Sequence, residues 1–336
     1  MFYGQSVKGV QSRYNGYKKQ FNYCNGIDFD YDHRDYTSIP WLSYDEEHKE
    51  PGFLQPVYFS RDALIAFVGN SRYEVDLFSE TYGNLAMYDP EGVYTYLWSV
   101  PIGFNTTGKL ILWLGDIDTM DKTSQLLLKA YNVPSDHLLV NSEFYQAQMN
   151  CNFSKPSIEM QIVLEKERFV KNIKNKYGIN LDHLTEQNKE LEKQMQRPVA
   201  YTKPAMFHII NAFHRHLIEG IDTHGLKVLY ETLYNESERD KKYKSYLQIK
   251  LIDKILAKLV PNTYSDSDLR ALVAPLYVLN DYRIILDHSI GDEEEKRNNI
   301  LQSLGIDCFE KQEEIYLAEI NGLRKLYQML AILTNQ

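Results

Sequence analysis

Hydrophobic positions change their spacing partway along this chain. From about Pro51 to Asn150 they come in short, mixed runs. Phe59, Ala63, Ile65, Ala66 and Phe67 predict a short helix over Phe59–Phe67, and Tyr73–Phe78 reads as a strand. Val93–Val100 alternates, with Tyr94, Tyr96 and Trp98 on one face and Val93, Thr95 and Leu97 on the other. Lys109–Leu114 is a continuous apolar run stopped by Gly115, which suits a central strand, and Asn105-Thr106-Thr107-Gly108 before it makes a hairpin loop. Short helices follow at Ser124–Ala130 and near Ser142–Met149, separated by a turn at Asn132-Val133-Pro134.

After Asn150 the strand signal disappears and helical spacing takes over. Ile158, Ile162, Phe169 and Ile173 share one face, between Pro156 and Gly178. A strongly charged second helix carries Leu184, Leu191 and Met195 and stops at Pro198. The third holds Met206, Ile209, Ile210, Phe213 and Leu217, opened by Thr202 and Pro204 and closed by Gly220. Leu226, Leu229, Tyr230 and Leu233 mark the fourth; Leu251, Ile252, Ile255, Leu256 and Leu259 mark the fifth. The sixth runs from about Ser267 to His288, an acidic irregular segment spans Gly291–Glu295, and a seventh holds Ile315, Ile320, Leu323, Leu326 and Leu330. The pattern therefore predicts an α+β protein: a small antiparallel-sheet domain over residues 1–150, with a loose polar lead-in to about 50, a helical connector over 151–200, and an all-α bundle over 201–336.

Composition narrows the class. Of 336 residues 43% are hydrophobic and 25% charged, as in ordinary folded domains. No run approaches the roughly 20 apolar residues of a membrane span. Met1-Phe2-Tyr3-Gly4-Gln5 lacks the basic flank and apolar run of a secretory signal. Three scattered cysteines, Cys24, Cys151 and Cys308, fit a reducing compartment, so a cytoplasmic location is expected. A net charge of −9 argues against broad charge-driven nucleic-acid binding but not against an enzyme that touches a few phosphates. The 26 tyrosines read mainly as half-buried strand residues.

No cofactor or metal is expected. His208, His214, His216 and His224 are spread around helices without a completing cysteine or carboxylate, and Asp116, Asp118 and Asp121 read as a solvated loop. Phosphate-cradling, nucleophile-elbow and H-E-x-x-H motifs do not occur.

The sixth helix carries the candidate chemistry, Asn280-Asp281-Tyr282-Arg283-Ile284-Ile285-Leu286-Asp287-His288. Arg283 and His288, late in a long helix and followed by a polar loop and a closing helix, resemble the R-x(4–6)-H motif of the HEPN superfamily. That resemblance implies a metal-independent endoribonuclease working on RNA as a homodimer, with both motifs lining one cleft. In its terms His288 moves a proton at the ribose 2′-OH and Arg283 stabilises the phosphate charge. Asn280 and Asp287 orient the pair. At five residues' separation the two side chains stand about 140° apart on an ideal helix, so the helix must end near His288 or the pair must flank a groove. Ile284 stands where family members often carry a polar residue. The alternative is an inactive HEPN-like domain for dimerisation or partner docking, with Arg283 paired to Asp281 or Asp287 and His288 capping the helix C-terminus.

Val57-Tyr58-Phe59-Ser60-Arg61, Tyr73-Glu74-Val75, Trp98-Ser99-Val100-Pro101-Ile102 and Leu112-Trp113-Leu114-Gly115-Asp116-Ile117 resemble a family of two-domain bacterial proteins whose activity is uncharacterised. Together the resemblances imply a bacterial effector of stress response or antiphage defence, with an N-terminal domain that senses an unknown trigger or partner. Arg239, Lys241, Lys242 and Lys244 are the candidate RNA contacts outside the motif.

Overall fold

A computed structural model describes residues 23–39, 52–68, 70–152, 155–183, 191–192, 194–261, 264–287 and 293–335. The chain divides into two compact units, Met1–Lys155 and Pro156–Gln336. Most of the polar lead-in, Leu184 of the charged helix, and His288 lie outside the described residues.

In the first unit Pro56–Phe59 (β1), Tyr73–Leu77 (β2), Tyr82–Tyr88 (β3), Tyr96–Phe104 (β4) and Leu110–Trp113 (β5) form one antiparallel sheet in the order β1-β5-β4-β3-β2. β1 and β5 are buried along their whole length, as their unbroken apolar runs require. β4 buries Trp98, Val100 and Ile102 and turns Leu97 and Ser99 outward, the period of two that alternation predicts. The loop between β4 and β5 closes as expected. Asn105 accepts the backbone N–H groups of Thr107 and Lys109, and Gly108 takes φ +82°.

Short helices surround the sheet: His33–Thr37 (α1), Ala63–Val68 (α2), Leu114–Thr119 (α3), Lys122–Lys129 (α4) and Glu143–Asn150 (α5). Asp121 caps α4 and Ser142 caps α5. Two expectations change here, and one strand is added. Phe59 ends a strand, and helix begins only at Ala63. Val93 and Tyr94 are exposed ahead of β4 rather than inside it. β3 goes unpredicted because Gly83 and Asn84 interrupt its apolar pattern. Gly83 is nevertheless required, since a Cβ there would stand 2.1 Å from the Asp76 carbonyl on β2.

The second unit is helical among its described residues: Ile158–Tyr177 (α6), Lys203–His214 (α7), Thr223–Leu233 (α8), Gln248–Leu259 (α9), Asp266–Asp287 (α10), Glu293–Leu304 (α11) and Gln312–Asn335 (α12). α6 starts on a Ser157 cap, ends at Gly178 in the left-handed region (φ 70°), and lies along α12. Its Ile162, Phe169 and Ile173 share one core with Ile315, Leu323 and Leu330 of α12. The stretch read as a connector over 151–200 thus divides differently, with α6 inside the bundle. α11 occupies part of the segment expected to be irregular; it buries Ile300 and little else, so its sequence carries a weak helical signal. α10 and α12 approach closely at Pro275, whose Cγ would stand 2.6 Å from a Cβ on Gly322.

Candidate functional site around Arg283

The site is built on α10. Val273, Leu276, Leu279, Tyr282 and Leu286 form its buried stripe. That stripe leaves Asn280, Arg283 and Asp287 on the neighbouring face, one turn apart. Asn280 and Arg283 are half-buried, while Asp287 is exposed. Among the described residues Arg283 pairs with neither Asp281 nor Asp287. Its Nη1 lies 3.9 Å from Oε1 of Glu219, its side chain is 32% exposed, and its Nε is buried without a hydrogen-bond partner.

Glu219 arrives there through an irregularity in the backbone. α7 runs into a π-helical turn, Arg215–Glu219, in which the Gly220 N–H reaches back to the Arg215 carbonyl at 2.7 Å. Such turns widen the helix by one residue and recur at functional sites. On a regular α-helix His214 and Glu219 would stand about 140° apart. The widened turn instead sets His214 Nδ1 3.3 Å from Glu219 Oε1. On its other side the ring meets Asn280, with Nε2 3.3 Å from Oδ1. The structure therefore gathers His214, Glu219, Asn280 and Arg283 from two helices and one π turn.

His214 is almost fully buried. Burial, followed by the nearby Arg283 charge, lowers its pKa, against the opposing pull of Glu219 and Asn280. A neutral imidazole carries one N–H, so only one of its two oxygen contacts holds a proton. The arrangement joins a fork-shaped permanent cation, an imidazole and a carboxamide, groups able to meet an oxyanion, and it sets the Glu219 carboxylate against the first two. The structure sets Arg283 and Asn280 on one face of α10, while His288 lies outside the described residues. In the sequence His214 reads only as a possible metal ligand and Glu219 carries no signal, because no local pattern announces a π turn.

The other predicted residues separate from this cluster. Arg239 donates from Nε to the Tyr234 carbonyl (2.9 Å) and from Nη2 to the Glu231 carbonyl (2.6 Å), so its guanidinium closes the C-terminal end of α8. Lys241, Lys242 and Lys244 are exposed on the loop that follows. His216, one turn-residue beyond the site, is sealed in the core; burial and then the charge of buried Lys166 bring its pKa down to about 3. Asp116 and Asp118 lie in α3 and Asp121 caps α4, in place of the loop expected for all three. No three His, Cys, Asp or Glu side chains converge as a metal site among the described residues. No described helix is long and apolar enough to cross a membrane. No family model matches this chain, and neither the curated proteins nor the solved structures contain a significant match to it.

Proposed function

We propose that the second unit is a HEPN-type, metal-independent endoribonuclease that works as a homodimer, in a bacterial effector whose first unit senses a trigger. The supporting observation is the half-buried Arg283 guanidinium, with its Nε unpartnered, near the His214 imidazole that Asn280 and Glu219 flank. In this reading the ribose 2′-oxygen attacks the adjacent phosphorus while His288 takes its proton. The bond from phosphorus to the 5′-oxygen breaks, and the proton goes to that leaving oxygen. Arg283 holds the two non-bridging oxygens, whose charge grows in the transition state. The products are a 2′,3′-cyclic phosphate and a 5′-hydroxyl, and no metal takes part. Lys241, Lys242 and Lys244 are the outlying RNA contacts in this scheme.

The test is incubation of the purified protein with total RNA in EDTA, beside Arg283→Ala, His288→Ala and the double variant. Cleavage by the wild type alone, with cyclic phosphate ends, supports the proposal. Cleavage that EDTA abolishes, or equal outcomes for all proteins, refutes it. A second reading, an inactive domain for dimerisation or docking, draws on Glu219 beside Arg283 and on the burial of His214. It predicts a dimer in solution with no cleavage under any condition.

A further inference from the structure

We infer that Glu219 is a built-in competitor for the anion that Arg283 would hold, so that this anion site is kept shut by its own chain. The inference rests on the reading that Arg283 meets an RNA phosphate, and it concerns binding rather than cleavage. A single carboxylate oxygen, Glu219 Oε1, faces both Arg283 Nη1 at 3.9 Å and His214 Nδ1 at 3.3 Å. It occupies the position a phosphate oxygen would take between the same two groups. At 3.9 Å the pair is looser than a charge-assisted hydrogen bond, which closes at about 2.7–2.9 Å. Arg283 Nε is also buried without a hydrogen-bond partner, so Glu219 leaves the guanidinium only partly satisfied.

Placement makes displacement feasible. The Glu219 side chain is 45% exposed, so it can swing to water at little desolvation cost. It ends a π turn, a backbone form held by local context and not by an unbroken helical ladder. His214 Nδ1 stays behind to face the incoming oxygen, while Asn280 meets the ring from its Nε2 side. A carboxylate in this position also repels the next phosphate along a strand. Opening the site therefore removes a competitor and a repulsion together.

The test measures binding of a fluorescent, fully 2′-O-methylated twelve-nucleotide RNA, which cannot be cleaved through its 2′-oxygen, by anisotropy at low salt in EDTA. Glu219→Gln keeps the side-chain volume and removes the charge, and it is expected to tighten Kd by about three- to tenfold. Glu219→Asp, which withdraws the charge by one methylene, should give a smaller gain. Arg283→Gln should weaken binding, and Glu219→Gln/Arg283→Gln should bind no better than Arg283→Gln alone. Loss of the gain in that double variant ties the effect to Arg283 and separates it from overall charge. An unchanged Kd for Glu219→Gln, or a gain that survives without Arg283, overturns the inference. A gain that depends on Arg283, together with no cleavage of ordinary RNA by any variant, upholds the inference and refutes the ribonuclease reading.

Discussion

One carbonyl of the π turn that delivers Glu219 is satisfied by a hydroxyl from another helix. In a regular helix the Leu217 carbonyl would accept from Ile221. Here the Ile221 N–H goes to the Ile218 carbonyl and the Asp222 N–H to the Leu181 carbonyl. Leu217 is wholly buried, and its carbonyl takes instead the hydroxyl of Tyr327 on α12, at 2.7 Å. Burial holds the Tyr327 phenol far above its ordinary pKa, so it remains a donor at every working pH. Tyr327→Phe removes that one oxygen and keeps the ring. It leaves a buried carbonyl without a donor, a loss of about 1–3 kcal/mol. For a unit of this size each kcal/mol lowers Tm by about 2–4 °C, so a drop of about 2–12 °C is expected. The assay is urea and thermal unfolding followed by circular dichroism, with the slope of the urea transition unchanged because the buried surface is the same. A Tyr327→Phe variant as stable as the wild type would refute the claim that this hydrogen bond supports the turn.

Three further outcomes follow from buried groups. Glu319 is completely buried with neither oxygen hydrogen-bonded, and burial raises its pKa well above the ordinary value. The folded state then keeps a proton that the unfolded state loses above about pH 4.3, so stability falls as pH rises from there. Glu319→Met should raise the urea midpoint more at pH 8 than at pH 5; an equal change at both would contradict this. His216 has the opposite sign. It is uncharged when folded down to about pH 3 and binds a proton when unfolded below about pH 6.5, so its contribution is lost as pH falls through that window. His216→Leu should flatten the acid limb of a stability-versus-pH curve, and an unaltered limb would count against it. In the sheet, Gly83→Ala sets a methyl against the β2 backbone and should cost about 1–3 kcal/mol or more, read as lost soluble expression or a lowered Tm. Full stability of that variant would show that β2 and β3 can separate freely.

Legibility in the sequence followed how local each signal was. α6 announces itself through Ser157, Gly178 and a buried face at helical spacing, all within one element. β4 and β5 are readable from period and from an unbroken apolar run. α11 is hard to read because its burial is slight, and β3 because its glycine answers to a neighbouring strand. The motif on α10 was partly legible for the same reason. Asn280 and Arg283 are three residues apart on one helix, and that spacing fixes a shared face.

What the sequence by itself determined is the division into a sheet-bearing first unit and a helical second one, and the presence of Arg283 late in a long helix. Periodicity and caps act within a few residues, so one chain segment carries them whole. The company Arg283 keeps was decided only by tertiary structure. His214 and Glu219 come from another helix, more than sixty residues earlier in the chain. Their meeting with α10 depends on a π turn whose odd carbonyl is satisfied from α12. No local pattern encodes that turn, because the hydroxyl that satisfies it comes from another helix, far along the chain.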